Sequence, residues 1–196
     1  SGGNLHLAAR GDGGAGIRVG GALTLTNMTV SGNTLTISNF VDGPGGGIYV
    51  TRDGSLSLTN STVAGNHAPR GAGIWALGPL TVTGSTISGN QGTATVSGDG
   101  NGAGIVVAET SASIANSTIS GNSGAGRGGG LHFELPGPSD VVSLSNVTIA
   151  NNSATEGGGV YLEPGTLNLN NVTIANNSAT QEAGGIFATR GTYNLS

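Results

Sequence analysis

The stretch Gly45-Gly46-Gly47-Ile48-Tyr49-Val50 decides the fold of this chain, because it returns six more times. Every copy places a glycine directly before an aliphatic residue, and these anchor glycines are Gly16, Gly47, Gly73, Gly104, Gly130, Gly159 and Gly185. They are spaced by 31, 26, 31, 26, 29 and 26 residues. A period of roughly 20 to 50 residues is typical of solenoids, propellers and other repeat arrays.

The composition narrows the function classes. Glycine supplies 39 of the 196 residues, charged residues are only 8%, and all six basic residues are Arg. A net charge of −4 with scattered signs predicts no nucleic-acid partner. No apolar run is long enough for membrane insertion. The absence of cysteine excludes disulfides and cysteine-based metal sites. Because the chain starts at Ser1, we expect a processed form or part of a longer protein.

Each repeat contains three short apolar pulses separated by turn residues, as in Ile48-Tyr49-Val50, Leu56-Ser57-Leu58 and Thr62-Val63-Ala64. No segment has a sustained helical period. The sequence therefore predicts an all-β, single-stranded right-handed parallel β-helix of about seven coils of three short strands. We expect one domain over 1–196: a partial coil at 1–12, six full coils at 13–183 and a partial coil at 184–196.

An asparagine follows each third strand at the same offset. These ladder asparagines are Asn33, Asn66, Asn90, Asn122, Asn152 and Asn177. Stacked amides can hydrogen-bond to one another, so we predict a structural ladder. A second polar column lies six residues earlier, at Asn27, Asn60, Gly84, Asn116, Asn146 and Asn171. Several of these form glycosylation triplets, but we expect inward-facing, inaccessible side chains, so glycosylation is a minor interpretation.

The uneven period comes from insertions. Loops at 34–46 and 91–103 are predicted to bulge from one corner, and a third insertion covers 134–141. Insertions in solenoids map to loops and often bind ligands.

The repeated motifs Gly-Gly-Gly-Ile at 45–48 and Val-Ala-Gly-Asn at 63–66 resemble the GGA[I/L/V] and FxxN repeats of chlamydial polymorphic outer-membrane proteins. The run Asn-Ser-Thr-Ile-Ser-Gly-Asn at 116–122 is similar to right-handed β-helix repeats of large bacterial surface proteins and autotransporter passengers. The phenylalanine of FxxN is Val or Ile here. The resemblance implies a secreted or cell-surface structural role.

One outward column is unusually rich in rings. The middle of strand one reads Arg18, Tyr49, Trp75, Val106, His132, Tyr161 and Phe187, and it holds four of the seven Phe, Tyr and Trp residues. We predict an exposed contact column made of Tyr49, Trp75, His132, Tyr161 and Phe187. Three interpretations stay open: stacking that stabilises the sheet, contact with a protein, and a platform for glycans.

Two further interpretations are weaker. Outward threonines at Thr29, Thr62, Thr86, Thr118, Thr148 and Thr173 resemble the face of ice-binding β-helices, but small β-branched residues also suit a regular sheet. Asp42 and Asp99 lie at equivalent places in the two long loops. They are the strongest candidates for polysaccharide cleavage, for which we see little support, and Asp99 is a weak candidate for Ca²⁺. No other cofactor, no metal site and no catalytic residues are predicted.

The ends of the chain suggest self-association. Leu5 and Leu7 lie where a third strand is expected, whereas Ile186, Tyr193 and Leu195 belong to strands one and two of the last coil. Head-to-tail joining of these partial coils would give a filament. The alternative is that neighbouring segments of a longer surface protein cover both ends. We therefore expect a non-catalytic extracellular structural or adhesive solenoid. The alternative is a carbohydrate-binding or polysaccharide-active β-helix, and ice binding is a remote third possibility.

Overall fold

The computed structural model describes residues 16–36, 44–93, 102–134 and 140–196. Within these ranges the chain forms strands and no helix. In chain order the strands are β1 (Ile17–Val19), β2 (Ala22–Thr26), β3 (Thr29–Ser31), β4 (Ile48–Val50), β5 (Ser55–Thr59), β6 (Thr62–Ala64), β7 (His67–Ala68), β8 (Ile74–Ala76), β9 (Leu80–Thr83), β10 (Thr86–Ser88), β11 (Gln91–Gly92), β12 (Ile105–Ala108), β13 (Ala112–Ala115), β14 (Thr118–Ser120), β15 (Leu131–Glu134), β16 (Val141–Ala150), β17 (Ser153–Glu156), β18 (Val160–Leu162), β19 (Thr166–Ala175), β20 (Ser178–Glu182), β21 (Ile186–Ala188) and β22 (Thr192–Leu195).

Equivalent strands of successive coils pair in parallel. The first sheet has the order β1-β4-β8-β12-β15-β18-β21. The second and third strands of the coils share an 11-stranded sheet, and two small sheets pair β7 with β11 and β17 with β20. The predicted all-β parallel solenoid is therefore confirmed. The short strands after the ladder asparagines were not predicted. The predicted partial coil at 1–12 lies outside the described residues, and the proposed domain limits stay a prediction.

The core runs along the axis as three aliphatic columns. The inward residues of strand one pair in register, as in Ile17 with Ile48 and Ile48 with Ile74. Almost all aliphatic side chains that point inward from the three strands of each coil are buried in one continuous cluster, to which Phe133 adds the largest fully buried side chain. Inward and outward side chains thus alternate along these strands, as in any β-strand.

The corner between strands two and three changes along the molecule. Ser61, Ser85 and Ser117 are buried there, and their hydroxyl oxygens accept hydrogen bonds of 3.0–3.1 Å from backbone N–H groups of the preceding coil. Val147 and Val172 replace serine in later coils and pair directly, so β16 and β19 run through the corner as ten-residue strands. In the coils with serine, the hydroxyl oxygen accepts the backbone hydrogen bond at the corner. In the coils with valine, the strand continues through the corner without a break.

The ladder asparagines form one stack across the coils. Each Oδ1 from Asn66 onward accepts bonds from the backbone N–H and the side-chain amide of the preceding rung, the latter at 2.9–3.0 Å. Each amide from Asn66 onward also donates to a strand-three carbonyl of the preceding coil, as Asn122 does to Ile87 at 3.0 Å. Each coil therefore supplies hydrogen-bond partners for the buried polar groups of its neighbour.

The asparagines of the second polar column point away from the core, contrary to the prediction. Its five asparagines adopt positive φ values between 47° and 56°, and the glycine in this column, Gly84, has φ 59°. These asparagine side chains are exposed, so the prediction of inward-facing, inaccessible residues is wrong. The left-handed turn points the side chain away from the core, and Asn171 donates outside it to Asn146 at 2.7 Å.

The anchor glycines allow the coils to approach one another. A Cβ added at Gly104 would lie 2.3 Å from the Gly130 carbonyl oxygen and 3.1 Å from the Asn122 amide nitrogen. At Gly185, in the last coil, the nearest atom would be Ile174 Cγ2 at 3.8 Å. The restriction therefore comes from the backbone of the following coil and from the ladder asparagine that lies between the two anchor glycines in the sequence.

We expect Gly104→Ala to lower the free energy of unfolding by about 2–3 kcal/mol, because the new methyl group overlaps backbone that cannot move alone. Gly21→Ala is the matched control, since nothing lies within 4 Å of its added Cβ. The control should change stability by less than about 0.5 kcal/mol. Urea unfolding followed by circular dichroism measures both, and equal midpoints would contradict the prediction.

We expect Asn122→Ala to lower the free energy of unfolding by about 3 kcal/mol, because Asn90 and Ile87 keep buried polar groups without their partner. Asn116→Gly is the control. Asn116 is exposed with φ 50°, a conformation in which glycine already serves at Gly84. The same urea titration should show a small change for the control, and a similar loss in both variants would contradict the ladder's role.

Candidate functional site

The predicted contact column is largely buried. His132 is 0%, Tyr161 3% and Trp75 6% exposed, while Tyr49 and Phe187 are half-buried. The prediction of an exposed column is therefore wrong for these three residues. They do not enter the main core: Trp75 belongs to a separate apolar cluster with Val106 and Ala108, against which Tyr49 and Leu77 pack.

The turn before strand one explains this burial. A glycine with positive φ precedes each of these rings by four residues and lies against the outer side of the strand. A Cβ added at Gly71 would come within 2.9 Å of Trp75, and one added at Gly128 within 2.7 Å of His132 Cβ. The alternation of inward and outward residues correctly predicts that these side chains lie outside the main core. It does not predict that the glycine turn before strand one packs against them.

Charged residues surround the buried rings in the fifth and sixth coils. Arg127 precedes β15, His132 and Glu134 lie on β15, Glu156 ends β17, and Tyr161 and Glu163 lie on or directly after β18. We call these six residues the outer cluster. Arg127 Nε lies 3.3 Å from Glu156 Oε2, and Arg127 Nη1 lies 3.3 Å from Glu163 Oε1. The guanidinium thus joins two coils.

The rings of the outer cluster form a row with Phe187. The centroids of His132 and Tyr161 are 5.0 Å apart with the rings at 84°, an edge-to-face contact. Tyr161 and Phe187 are 5.3 Å apart and inclined by only 30°. The Arg127 guanidinium carbon lies 5.0 Å from the centre of the Tyr161 ring. Arg127 therefore covers the ring that the sequence predicts to be exposed.

His132 is the least satisfied polar side chain of the cluster. Its Nδ1 lies 3.8 Å from Glu134 Oε1 and its Nε2 lies 3.9 Å from Glu163 Oε1. Both distances exceed those of hydrogen bonds, and neither ring nitrogen has a hydrogen-bond partner among the described residues. The ring is therefore a buried polar group held between two carboxylates.

The electrostatics of the cluster favour an ionised Glu163. Interaction with the His132 side chain is the largest influence that lowers the pKa of Glu163, and Arg127 adds to it, whereas partial burial opposes both. Burial raises the pKa of Tyr161 above its ordinary value, against the effect of Arg127. A phenol and a charged carboxylate thus stand side by side.

The chain matches the family model described as the right-handed β-helix region over residues 14–196. It belongs to the right-handed β-helix family. This match supplies the handedness of the solenoid and supports the resemblance to β-helix repeat proteins. No curated protein and no solved structure matches the chain.

The remaining predicted site residues are scattered over this right-handed β-helix. Ile186, Tyr193 and Leu195 lie in its last coil, where Tyr193 is 40% and Leu195 76% exposed. Leu5, Leu7, Asp42 and Asp99 lie outside the described residues, so the weak Ca²⁺ prediction near Asp99 stays a prediction. In the described ranges no group of three or more His, Cys, Asp or Glu residues could hold a metal ion. No helix there is long and apolar enough to cross a membrane.

The sequence analysis missed the outer cluster of the β-helix. One signal was present, because Glu134 and Glu163 each follow the inward residue of strand one by three positions, after Leu131 and Val160. That offset places both carboxylates at the same outward position of adjacent coils. A second signal was also present, because Arg127, Glu156 and Glu182 each precede an anchor glycine by three positions and stand beside one another in adjacent coils.

We expect the stabilisation provided by Glu163 to depend on pH. The folded protein lowers the pKa of this group, so its contribution is present above the unfolded value near about 4.3 and is lost as the pH falls through the folded value. Glu163→Gln should therefore reduce the urea midpoint at pH 7 and have little effect in more acidic solution, below the folded pKa. A difference in urea midpoint between the native chain and Glu163→Gln that stays constant or grows on acidification would contradict the lowered pKa of Glu163.

Proposed function

We propose that this β-helix is a non-catalytic structural or adhesive solenoid that works outside the cell. The observation that carries the proposal is the asparagine ladder, which joins six coils through buried amide bonds. Many other polar side chains of the repeat also bond to neighbouring coils, including the corner serines and the exposed asparagines. Such a repeat is suited to a rigid rod whose length is set by the number of coils.

The composition supports an extracellular location. Lys is absent, charged residues are 8%, and glycine and small polar residues fill the turns. A chain of this kind offers no lysine and few exposed charged loops to trypsin-like proteases. The resemblance to bacterial surface repeats points the same way.

The last coil supports self-association as part of this function. A groove of about 550 Å³ opens there, lined by Leu169, Val172, Ile174, Ile186, Leu195 and Ser196. Apolar side chains and a sheet edge favour cover by a further coil. We infer that a second copy joins head to tail; the alternative is a neighbouring segment of a longer surface protein.

The direction of the ladder fits head-to-tail joining. Each rung donates toward the following coil, so Asn33 Oδ1 at the first rung is a buried acceptor without a partner in the described chain. At the other end the amide of Asn177 donates to the Ile149 carbonyl, and no following rung accepts its second N–H among the described residues. An acceptor at one end and a donor at the other give the ladder a direction, as head-to-tail joining requires.

We expect fibres or short oligomers in negative-stain microscopy and light scattering, and they should dissociate on dilution. Leu195→Asp should abolish them, because it places a charge on the apolar end. Thr81→Asp, on an exposed position of β9 in the middle of the solenoid, is the control and should assemble as the native chain does. Deleting residues 1–7 should also abolish assembly. A monodisperse monomer at high concentration would contradict self-association.

A further inference from the structure

The corner between strands two and three carries a modification motif in five coils. The asparagines at this corner are exposed and have positive φ, and a threonine stands two positions after each of them; they are Asn27, Asn60, Asn116, Asn146 and Asn171. The residue between is never proline. A surface triplet of the form Asn-X-Thr is an acceptor for N-linked sugars. The exposure of these side chains removes the reason for which the sequence gives glycosylation little weight.

The backbone of this corner does not require asparagine. In the third coil Gly84 takes the same place with φ 59°, close to the φ of 50° at Asn116 in the fourth coil. Glycine adopts such angles without steric cost. The asparagine side chain is therefore not needed to form the turn, and its amide stands on the surface for another purpose.

The triplet at Asn116 presents its amide and its hydroxyl on the same side of the chain. Thr118, the first residue of β14, points outward and is half-buried. Ser117 between them points into the corner, where it is 4% exposed and accepts a hydrogen bond of 3.1 Å from the Ser85 N–H. Both groups that define the acceptor triplet thus lie on the outer surface, while the middle residue holds the corner in place.

The direction of the amides distinguishes Asn116 from its neighbours. Asn171 Nδ2 donates to Asn146 Oδ1 at 2.7 Å, and Asn146 Nδ2 donates to Asn116 Oδ1 at 3.1 Å. Because Oδ1 of Asn116 faces the fifth coil, its Nδ2 is directed the other way, toward the third coil. There the column has only Gly84, which carries no side chain. The Asn116 nitrogen therefore faces an open place in the row.

We propose that this corner is a site of N-linked glycosylation, with Asn116 as the principal acceptor. The Asn116 Nδ2 forms a bond to the anomeric carbon of a sugar carried on a phosphate or pyrophosphate donor. The bond between that carbon and the donor's phosphate oxygen breaks, and the phosphate leaves with its electron pair. The nitrogen gives up one proton to a base of the glycosyltransferase and keeps the other. Gly84 leaves the space beside the first sugar open.

The proposed modification goes beyond the structural role and does not depend on it. Asn116 lies in the fourth coil, away from the last coil that self-association would cover. A chain that carries the sugar but stays monomeric would contradict only self-association. A chain that assembles without the sugar would contradict only glycosylation.

Peptide mass spectrometry of the chain isolated from its source cells tests the site. Trypsin cleaves after Arg70 and Arg127, and the peptide 71–127 contains a single acceptor triplet, at Asn116. We expect this peptide to gain the mass of whole sugar residues, and electron-transfer fragmentation should place them on Asn116. Occupancy should be higher there than at Asn146 and Asn171, whose amide nitrogens donate to a neighbouring asparagine.

Variants produced in the same cells separate the acceptor triplet from the shape of the corner. Thr118→Val should abolish the sugar, because the hydroxyl is lost while the branched side chain stays, and Thr118→Ser should retain it. Thr86→Val is the matched control. Thr86 pairs with Thr118 in register but follows Gly84 instead of an asparagine, so the sugar on Asn116 should be unchanged. Thermal melts by circular dichroism check folding, and Asn116→Gly removes the acceptor if Thr118→Val unfolds.

Several outcomes would overturn the proposal. One is an unmodified peptide 71–127 from the native chain. Another is a sugar placed on serine or threonine instead of Asn116. A sugar that persists in Thr118→Val would show that the triplet is not recognised, and equal or higher occupancy at Asn146 would remove Asn116 as the principal acceptor.

Discussion

The coils of this solenoid stack through a contact that only glycine permits. The carbonyl oxygen of one anchor glycine occupies the space in which a side chain of the preceding anchor glycine would begin, 2.3 Å from an added Cβ at Gly73. The amide nitrogen of a ladder asparagine, Asn90, also lies only 3.0 Å from that Cβ. Glycine and asparagine columns are therefore two halves of one packing arrangement. Strand pairing and burial of the aliphatic columns both require the coil spacing that this arrangement allows.

This packing separates the molecule into an interior that repeats and an exterior that varies. Inside, aliphatic and amide columns continue with little change, since every coil must match the next. Outside, the turns before strand one and the residues after it differ from coil to coil. The outer cluster arises where Glu134 and Glu163 occupy a position that carries small or apolar residues in several other coils. The regular interior thus positions charged side chains that occur in only some of the coils.

Much of the fold could be predicted because its causes are local or periodic. The anchor glycines, the inward aliphatic residues and the ladder asparagines each recur at offsets visible in the sequence. Burial of Trp75 and Tyr161 could not be predicted in this way, because glycine turns and an arginine cover them from outside the strand. Arg127 and Glu163 are 36 residues apart, and their contact depends on how two coils align. Periodicity indicates which face a side chain takes, but not what else packs on that face.

The side-chain amides point in opposite directions inside and outside the solenoid. The amide-to-amide bonds of the buried ladder run toward the C-terminal coil, whereas Asn146, Asn171 and Asn194 donate to side-chain amides of the N-terminal coil. Backbone bonds between coils also alternate, as Gly16 donates to Gly46 and Thr51 donates back to Val19. An α-helix aligns its peptide dipoles and accumulates charge at its ends. Here the opposing dipoles partly cancel, so adding coils lengthens the rod without building a matching electric field along its axis.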